Sequence, residues 1–414
     1  MSGLVVIGAS YAGIQAALTA REAGYLEPIT VISDENCLSY ERPPLSKDFL
    51  TGETGDQKLI LRDRAFFESS RIDLRPGLRA IAIDRRARRV TLAGNSMLGF
   101  DKLVIAAGSR ARRLVVPGAD LDGVCYLRSV ADAVDLRARL ARAAEVVIIG
   151  GGFIGLEVAS SAAKFGKKVT VVESASRLLE RAISPVVSRF LLETHVTAGI
   201  DVRLNATVSS LRERGGRVAE ARLADGSTLA AELVVVGIGG IANNELAVAA
   251  GIECGDGVVV DAHGRTGAPH IYAAGDCANH YNHHADGWIR LESVQNAQDQ
   301  AQAAGLAIAG SHAPYESVPR FWSDQHDVRL QFVGLSARHD CVAIRGSKEE
   351  RQFSVFYYRE GRLLAVESVN RPGDQMAARR MIAAGISLTP EQAADVSFDL
   401  KSLLKAIGRP KVEA

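Results

Sequence analysis

The sequence predicts an α/β protein in which two parallel-sheet units of one design are followed by a smaller α+β domain. Three observations predict it. Residues 146 to 173 read as strand, glycine turn, helix and strand in unbroken order. Residues 4 to 35 repeat that order, a long-period internal duplication. From about Val318 the composition shifts, and Phe321, Trp322, Phe332, Phe353, Phe356, Tyr357 and Tyr358 concentrate the aromatic residues. A chain of 414 residues has room for about two to three domains.

Leu4 to Ile7 is an apolar strand. Gly8-Ala9-Ser10-Tyr11-Ala12-Gly13 is its turn, Ile14 to Ala23 its helix, Ile29 to Ile32 the next strand, and Asp34-Glu35 the terminal acid pair. Ser10 stands at the middle glycine of G-x-G-x-x-G, where a small serine is tolerated. Tyr40-Glu41-Arg42-Pro43-Pro44-Leu45-Ser46-Lys47 follows. Two prolines fix a rigid turn, and Ser46 is placed to cap a helix. The stretch reads as a surface loop, or as a rigid arm aiming Arg42 and Lys47 at an anionic or electron-rich ligand. Residues 78 to 105 form a meander with a Gly94-Asn95 turn, and Leu103 to Ala106 is a buried strand. Arg85, Arg86, Arg88 and Arg89 read as a solvated hairpin. Residues 110 to 118, ending Val116-Pro117-Gly118, look like a crossing into a second domain. A helix over 129 to 143 leads to the central unit.

In that unit Val146 to Ile149 suits a buried parallel strand. Gly150-Gly151-Gly152-Phe153-Ile154-Gly155 fits G-x-G-x-x-G. Gly150 allows the tight turn, Gly152 lets a pyrophosphate approach the backbone, and Gly155 lets the helix pack close to the strand. Ala159, Ala162 and Ala163 turn small residues to the strands, Gly166 ends the helix, and Val169 to Val172 is the second strand. Glu173, 23 positions after Gly150, is placed to accept hydrogen bonds from a ribose 2′-OH. Residues 202 to 236 again form a meander, turning at Gly215-Gly216 and Asp225-Gly226 and entering Gly237-Ile238-Gly239. In Thr266 to Asp276 an apolar strand ends at Gly275-Asp276, where the acid suits a polyol chain. A helix spans 292 to 309. Strands near 328, 342 and 353, with a Glu360-Gly361 hairpin, predict an antiparallel sheet. Helices near 372 to 384 and 390 to 406 follow, the second opened by Thr389-Pro390-Glu391-Gln392. The aromatics here read mostly as core, with Trp322 a candidate to face a ligand.

The totals exclude other classes. Hydrophobic residues at 47% and charged residues at 23% describe a globular chain. A net charge of +1 implies no nucleic acid or other bulk polyelectrolyte as partner. Cys37, Cys125, Cys254, Cys277 and Cys341 are scattered, without C-x-x-C or histidine-spaced clusters. A disulfide framework or metal site is therefore not expected, and a reducing, cytoplasmic setting fits. Residues 1 to 20 carry no charged side chain, but they lack a basic n-region and read better as strand, turn and helix. No membrane span is expected.

Taken together, the chain resembles the FAD-dependent, NADH-using ferredoxin reductases that serve bacterial cytochromes P450 and Rieske oxygenases. These are glutathione-reductase-like flavoproteins of putidaredoxin-reductase type, with rubredoxin reductases among them. The resemblance covers nearly the whole chain. Its marks are Arg42 to Lys47, Gly150 to Glu157, Thr266 to Asp276, Arg290-Leu291-Glu292-Ser293-Val294-Gln295-Asn296-Ala297 and Phe321-Trp322-Ser323-Asp324. It implies two Rossmann-like dinucleotide-binding domains and a C-terminal α+β domain that covers the flavin. The FAD domain would be residues 1–112 and 245–317, the NAD domain 113–244, and the C-terminal domain 318–414. By the resemblance, FAD would be held by Gly8, Ala12, Gly13, Asp34, Arg42, Lys47, Ala80, Ala107, Arg128, Asp276 and Val294. NADH would be held by Gly152, Phe153, Ile154, Glu157, Glu173, Arg181, Ile238 and Gly239, with Glu292 and Trp322 near the nicotinamide. Departures are Ser10 and Ile241-Ala242-Asn243, where the family usually has a proline before the asparagine.

The implied chemistry needs few side chains, because FAD carries the redox step and the protein orients and tunes it. Lys47 is expected near the flavin ring, as a cation that stabilises the reduced, anionic form. A salt bridge to Glu157 is its other role. The implied electron acceptor is a [2Fe–2S] ferredoxin feeding a P450 or Rieske oxygenase, and the protein is expected to be a monomer or weak dimer. Arginines crowding 62 to 89 and 110 to 113 would offer an acidic ferredoxin a positive face, although any single one reads better as ordinary surface. A disulfide reductase needs two close cysteines beside the flavin, where this chain has its Pro-Pro-Leu-Ser-Lys arm. A cysteine-based NADH oxidase or peroxidase would place its cysteine near Tyr40, not at Cys37. A signalling flavoprotein of the apoptosis-inducing-factor type is the rival from another class.

Overall fold

The computed structural model describes residues 2–400 and 403. The chain forms two compact units, each of three stretches. One contains the residues up to Tyr40, Ile60–Arg110 and Ile241–Phe321; the other contains Glu41–Leu59, Ala111–Gly240 and the chain from Trp322 onward.

The first unit is built on a seven-stranded sheet. Gly3–Ile7 pairs in parallel with Ile29–Ile32 on one side and with Met97–Ile105 on the other. Ile72–Arg75 and Ile271–Ala273 extend it, also in parallel. The strand expected at Leu103 to Ala106 is the second half of a longer one. Lys102 to Ile105 lie beside Leu4 to Ile7, while Met97 to Gly99 pair antiparallel with Arg89–Leu92, as the end of the meander. Gly3–Ile7 and Ile29–Ile32 are mostly Val, Ile and Leu because both faces are covered, one by helices and the other by the meander, whereas Ile72–Arg75 carries Asp73 and Arg75. The helix Tyr11–Glu22 starts three residues before the expected Ile14. It packs against Val294–Ile308. A Cβ at Gly305 would lie 2.7 Å from Thr19 Cβ and 2.8 Å from the Ala16 carbonyl, so the two helices meet nearly backbone to backbone. A second sheet, Cys254–Gly255, Gly257–Val260, Ala278–Asn282 and Gly287–Ile289, was not expected. Its strands are two to five residues long, and one of them reads Ala-Asn-His-Tyr-Asn, so it carries little apolar alternation.

The second unit holds a parallel sheet in the order Asp201–Arg203, Lys168–Val172, Glu145–Ile149, Leu233–Val236, Val124–Cys125. The helix Phe153–Lys164 follows the glycine turn, and Ser129 opens the helix Val130–Arg142 with a capping box. The 202 to 236 meander is the three-stranded sheet Val208–Arg214, Arg217–Leu223 and Thr228–Ala230. After Phe321 an antiparallel sheet runs in the order Arg320–Gln325, Val328–Gly334, Arg362–Val369, Gln352–Arg359, Cys341–Ser347. Its core is Phe353, Val355, Phe356, Tyr357 and Tyr358, all fully buried. Pro372–Ala383 is helical, as expected. Where a helix was expected over 390 to 406, Pro390–Ala394 is helical and Leu403 is helical again, and part of that expected span lies outside the described residues. Its opening is as expected: Thr389 and Gln392 form a capping box. Among the described residues no helix is long and apolar enough to cross a membrane.

Candidate active site

Both glycine turns end on a helix whose first turn is built to receive an anion. The Tyr11–Glu22 and Phe153–Lys164 helices begin at Ser10 and Gly152, have no side-chain cap and carry no acid in the first turn. A helix start of this kind, with its dipole positive end and no acid of its own, favours an anion. The glycines divide by duty. A Cβ on Gly8 would lie 2.2 Å from the Ala106 carbonyl, and one on Gly150 2.4 Å from the Gly237 carbonyl. Cβ atoms on Gly13 and Gly155 would lie 1.8 and 2.2 Å from the carbonyls of Gly8 and Gly150. Gly152 is different: its nearest neighbour would be the Gly237 carbonyl at 3.7 Å. Packing therefore does not require glycine at this position. Ser10 occupies the matching slot at φ −105°, ψ −164°, extended backbone that any residue adopts, which explains why serine is accepted there.

In the first unit the fold gathers Gly8, Ala12, Gly13, Ala107, Asp276 and Val294. Gly275, at φ +82°, would place a Cβ 2.9 Å from Ala12 Cβ and 3.7 Å from Ala297 Cβ, so the Asp276 turn lies between the starts of two helices. Ser109 Oγ donates to Asp276 Oδ2 at 3.3 Å, and Asn243 Nδ2 donates to the Ala107 carbonyl at 2.8 Å. Asn243 thus has a defined role without a proline before it. Ala80 is the buried first residue of its strand. Asp34 is exposed. The parallel registers pair Ile7 with Ile32 and Ile149 with Val172, so Asp34 lies one position beyond the place Glu173 holds in its own unit. Glu292 is exposed and ion-paired to Arg290.

The second unit brings Lys47, Glu157 and two serines together. Glu157 is 3% exposed, and Lys47 Nζ lies 2.9 Å from its Oε1. Ser323 Oγ donates to Oε1 at 2.6 Å, and Ser46 Oγ donates to Oε2. Ser46 therefore caps no helix: the short helix Asp48–Thr51 begins after Lys47, and the Ser46 hydroxyl is spent on the carboxylate. Arg42 donates to the Arg128 carbonyl at 2.7 Å. Glu173 ties down the glycine turn, accepting from Gly151 N at 2.6 Å through Oε2 and from Ala175 N at 2.7 Å through Oε1. Phe153 packs edge-on to Phe332 at 5.6 Å, Ile154 is exposed, and Gly239 at φ +109° has open space around it. Arg181 is exposed and Trp322 half-buried. Arg177, the basic residue nearest Glu173 in sequence, folds inward and donates to the Ile183 carbonyl at 2.7 Å.

The expected positive face is reduced by pairing. Arg110 is 2.6 Å from Glu245 and Arg75 2.6 Å from Asp73, while Arg62 and Arg113 lie over the rings of Phe66 and Tyr126. Sequence reasoning gave Ser46 a helix cap and Ser323 only a place in the Phe321–Asp324 stretch, and it assigned neither of them to Glu157.

Two glycine turns that each present an uncapped helix, with a buried ion pair on the proline arm, define a pyridine-nucleotide-dependent oxidoreductase. Family models agree: the pyridine nucleotide-disulphide oxidoreductases match residues 2–301, and the reductase C-terminal family matches residues 320–404. The chain belongs to this family. It is 44% identical over 398 residues to rhodocoxin reductase of Rhodococcus erythropolis, covering 96% of this chain and 93% of that one. The crystal structure of the ferredoxin reductase for the CYP199A2 system of Rhodopseudomonas palustris superimposes with a TM-score of 0.95 at 43% identity, over 97% of this chain and all (100%) of that one. Putidaredoxin reductase, in its covalent complex with putidaredoxin, matches with a TM-score of 0.94 at 36% identity, over 98% of this chain and 99% of that one.

Proposed function

We propose that this chain takes electrons from NADH through bound FAD and passes them to a [2Fe–2S] ferredoxin that supplies a cytochrome P450 or Rieske oxygenase. Bound FAD would supply the chemistry, accepting two electrons as hydride and releasing them one at a time. The observation that carries the reading is the arm from Arg42 to Lys47. A disulfide reductase would carry its redox cysteines there, and this chain instead carries a lysine locked to a buried glutamate. All five cysteines are thiols, none of them on the arm. Relatives of matching length and fold are named as reductases of small electron carriers.

In this reading residues 1–112 and 245–317 hold FAD, 113–244 hold NADH, and 318–414 form the C-terminal domain. Gly8, Ala12 and Gly13 give the pyrophosphate its turn, Asp276 takes the polyol chain of FAD, and Val294, Ala80 and Ala107 complete the FAD contacts. Asp34 takes the ribose, and Arg42 with Arg128 supplies positive charge to the phosphates. Gly152, Phe153, Ile154, Ile238 and Gly239 form the NADH cradle, with Arg181 at its rim. Glu292 and Trp322 face the nicotinamide. Lys47 presents its ammonium to the flavin ring, held by Glu157. Glu173 selects NADH: its carboxylate occupies the place of a 2′-phosphate, and Arg177 is committed to a loop carbonyl.

Reconstituted turnover tests the proposal. Purified protein should be yellow, NADH should bleach it, and each NADH should reduce two equivalents of [2Fe–2S] ferredoxin. Colourless protein that cannot be loaded with FAD would end the reading. Ferredoxin reduction no faster than reduction of free oxygen would remove the acceptor and leave the flavoenzyme.

A further inference from the structure

The hydrogen bonds around Glu157 can be followed outward, and each step forces the next. With Lys47 Nζ at 2.9 Å, the Glu157 carboxylate only accepts. Ser323 Oγ, 2.6 Å away, must spend its single proton on it. The other contact of Ser323, to Gln325 Nε2 at 3.0 Å, is then one in which the serine accepts. That turns Gln325 Oε1 toward His195 Nε2 at 2.9 Å, so this nitrogen carries a hydrogen. His195 is fully buried, and desolvation lowers its pKa to about 4, so the ring is neutral and its Nδ1 is an acceptor. The hydrogen between Nδ1 and His326 Nε2, 3.1 Å apart, therefore belongs to His326. His326 is anchored by its backbone N–H to Ser160 Oγ at 2.7 Å, on the helix that carries Glu157. Asp327, Lys164 and Arg351 are the charged groups around its ring.

Every donor in this row points toward Glu157. The row is not a proton wire, because a proton crossing Gln325 would have to pass through an imidic acid. What it transmits is orientation. We infer that Ser323, Gln325, His195 and His326 are positioning residues for Lys47: a one-way row of donors fixes the Glu157 carboxylate, which fixes the ammonium. The inference rests on the reading that Lys47 serves the flavin. The Phe-Trp-Ser-Asp stretch thereby gains a function in its serine, and the glutamine one residue beyond it joins the same device.

The test uses the FAD-loaded full chain. Gln325→Leu should slow flavin bleaching by NADH about five-fold in stopped flow, the size of one hydrogen bond, with the Kd for NADH unchanged. On a Lys47→Met background the same substitution should add nothing, since the row acts only through Lys47. His195→Gln, which keeps one donor and one acceptor, should retain most of the rate. Independently of activity, long-range ¹H–¹⁵N correlation of the imidazoles should show His195 as the Nε2–H tautomer, with that preference lost in Gln325→Leu. An Nδ1–H tautomer in the wild type would overturn the direction of the row. Equal slowing with and without Lys47 would reduce the four residues to ordinary packing. If Lys47→Met alone leaves flavin reduction unchanged, the placement of Lys47 at the flavin fails, and the tautomer still decides the row.

Discussion

Adding one methyl group at either of two glycines three residues apart should have opposite consequences. Gly155→Ala puts a Cβ 2.2 Å from the Gly150 carbonyl and 3.2 Å from Ile148 Cγ2. Neither can move without parting the helix from its strand, and overpacking of this kind costs about 1–3 kcal/mol or more. Gly152→Ala meets nothing nearer than 3.7 Å, and its φ of −82° and ψ of 175° suit alanine. Only the helix-start preference is lost, under about 1 kcal/mol. In the proposed NADH cradle the methyl of Gly152→Ala would stand in the path of the pyrophosphate to the helix N-terminus, so the KM for NADH should rise about ten-fold, or about 1.4 kcal/mol. Thermal melting of the two variants, read beside NADH–ferricyanide kinetics and FAD content, separates the effects. Gly155→Ala should melt several degrees lower, while Gly152→Ala should melt like the wild type and bind NADH poorly. An unchanged KM in Gly152→Ala, or a wild-type melt in Gly155→Ala, would refute the division of labour.

Three further outcomes are expected. Glu173→Ala should narrow the preference for NADH over NADPH by about ten-fold in kcat/KM, because the carboxylate no longer meets the 2′ position; the ratio of the two cofactors' kinetics checks it. Acid should destabilise the protein through His195 and His280, whose burial lowers both pKa values from 6.5 to about 4. Between those values the unfolded chain binds more protons, so their contribution is intact above pH 6.5 and is lost as pH falls toward 4. The loss is up to about 3 kcal/mol each, and His195→Gln should flatten the fall in melting temperature over that range. Replacing all five cysteines by serine or alanine should leave NADH–ferricyanide turnover within a few-fold; loss of activity in Cys37→Ser alone would reopen a cysteine-based oxidase reading.

The glycine turns, their strands and the capping boxes were legible because each is written within about thirty residues and obeys a local rule. Gly8, Gly150, Gly155 and Gly275 report their duty by type and position alone. The Glu157 site was legible only in its ion pair. Ser46, Ser323, Gln325 and His195 come from the arm, the antiparallel sheet and the helix Pro185–Thr197, and no periodicity links them. Ser46 looked like a cap because serine before a helix usually is one, and a buried carboxylate outbid the backbone for its hydroxyl. Arg110 looked like available charge, because sequence shows a cation and not the Glu245 that engages it.

The close contact of Tyr11–Glu22 with Val294–Ile308 has a consequence for synthesis. About 270 residues separate the two helices, and a ribosome adding about 5–20 residues per second needs roughly a quarter of a minute to a minute to make them. Through that interval the first helix has left the exit tunnel without the surface that packs on Ala16, Thr19 and Ala20. The nascent chain must therefore carry this stripe uncovered until nearly three-quarters of the protein exists, a window in which holdase chaperones and premature self-association compete for it.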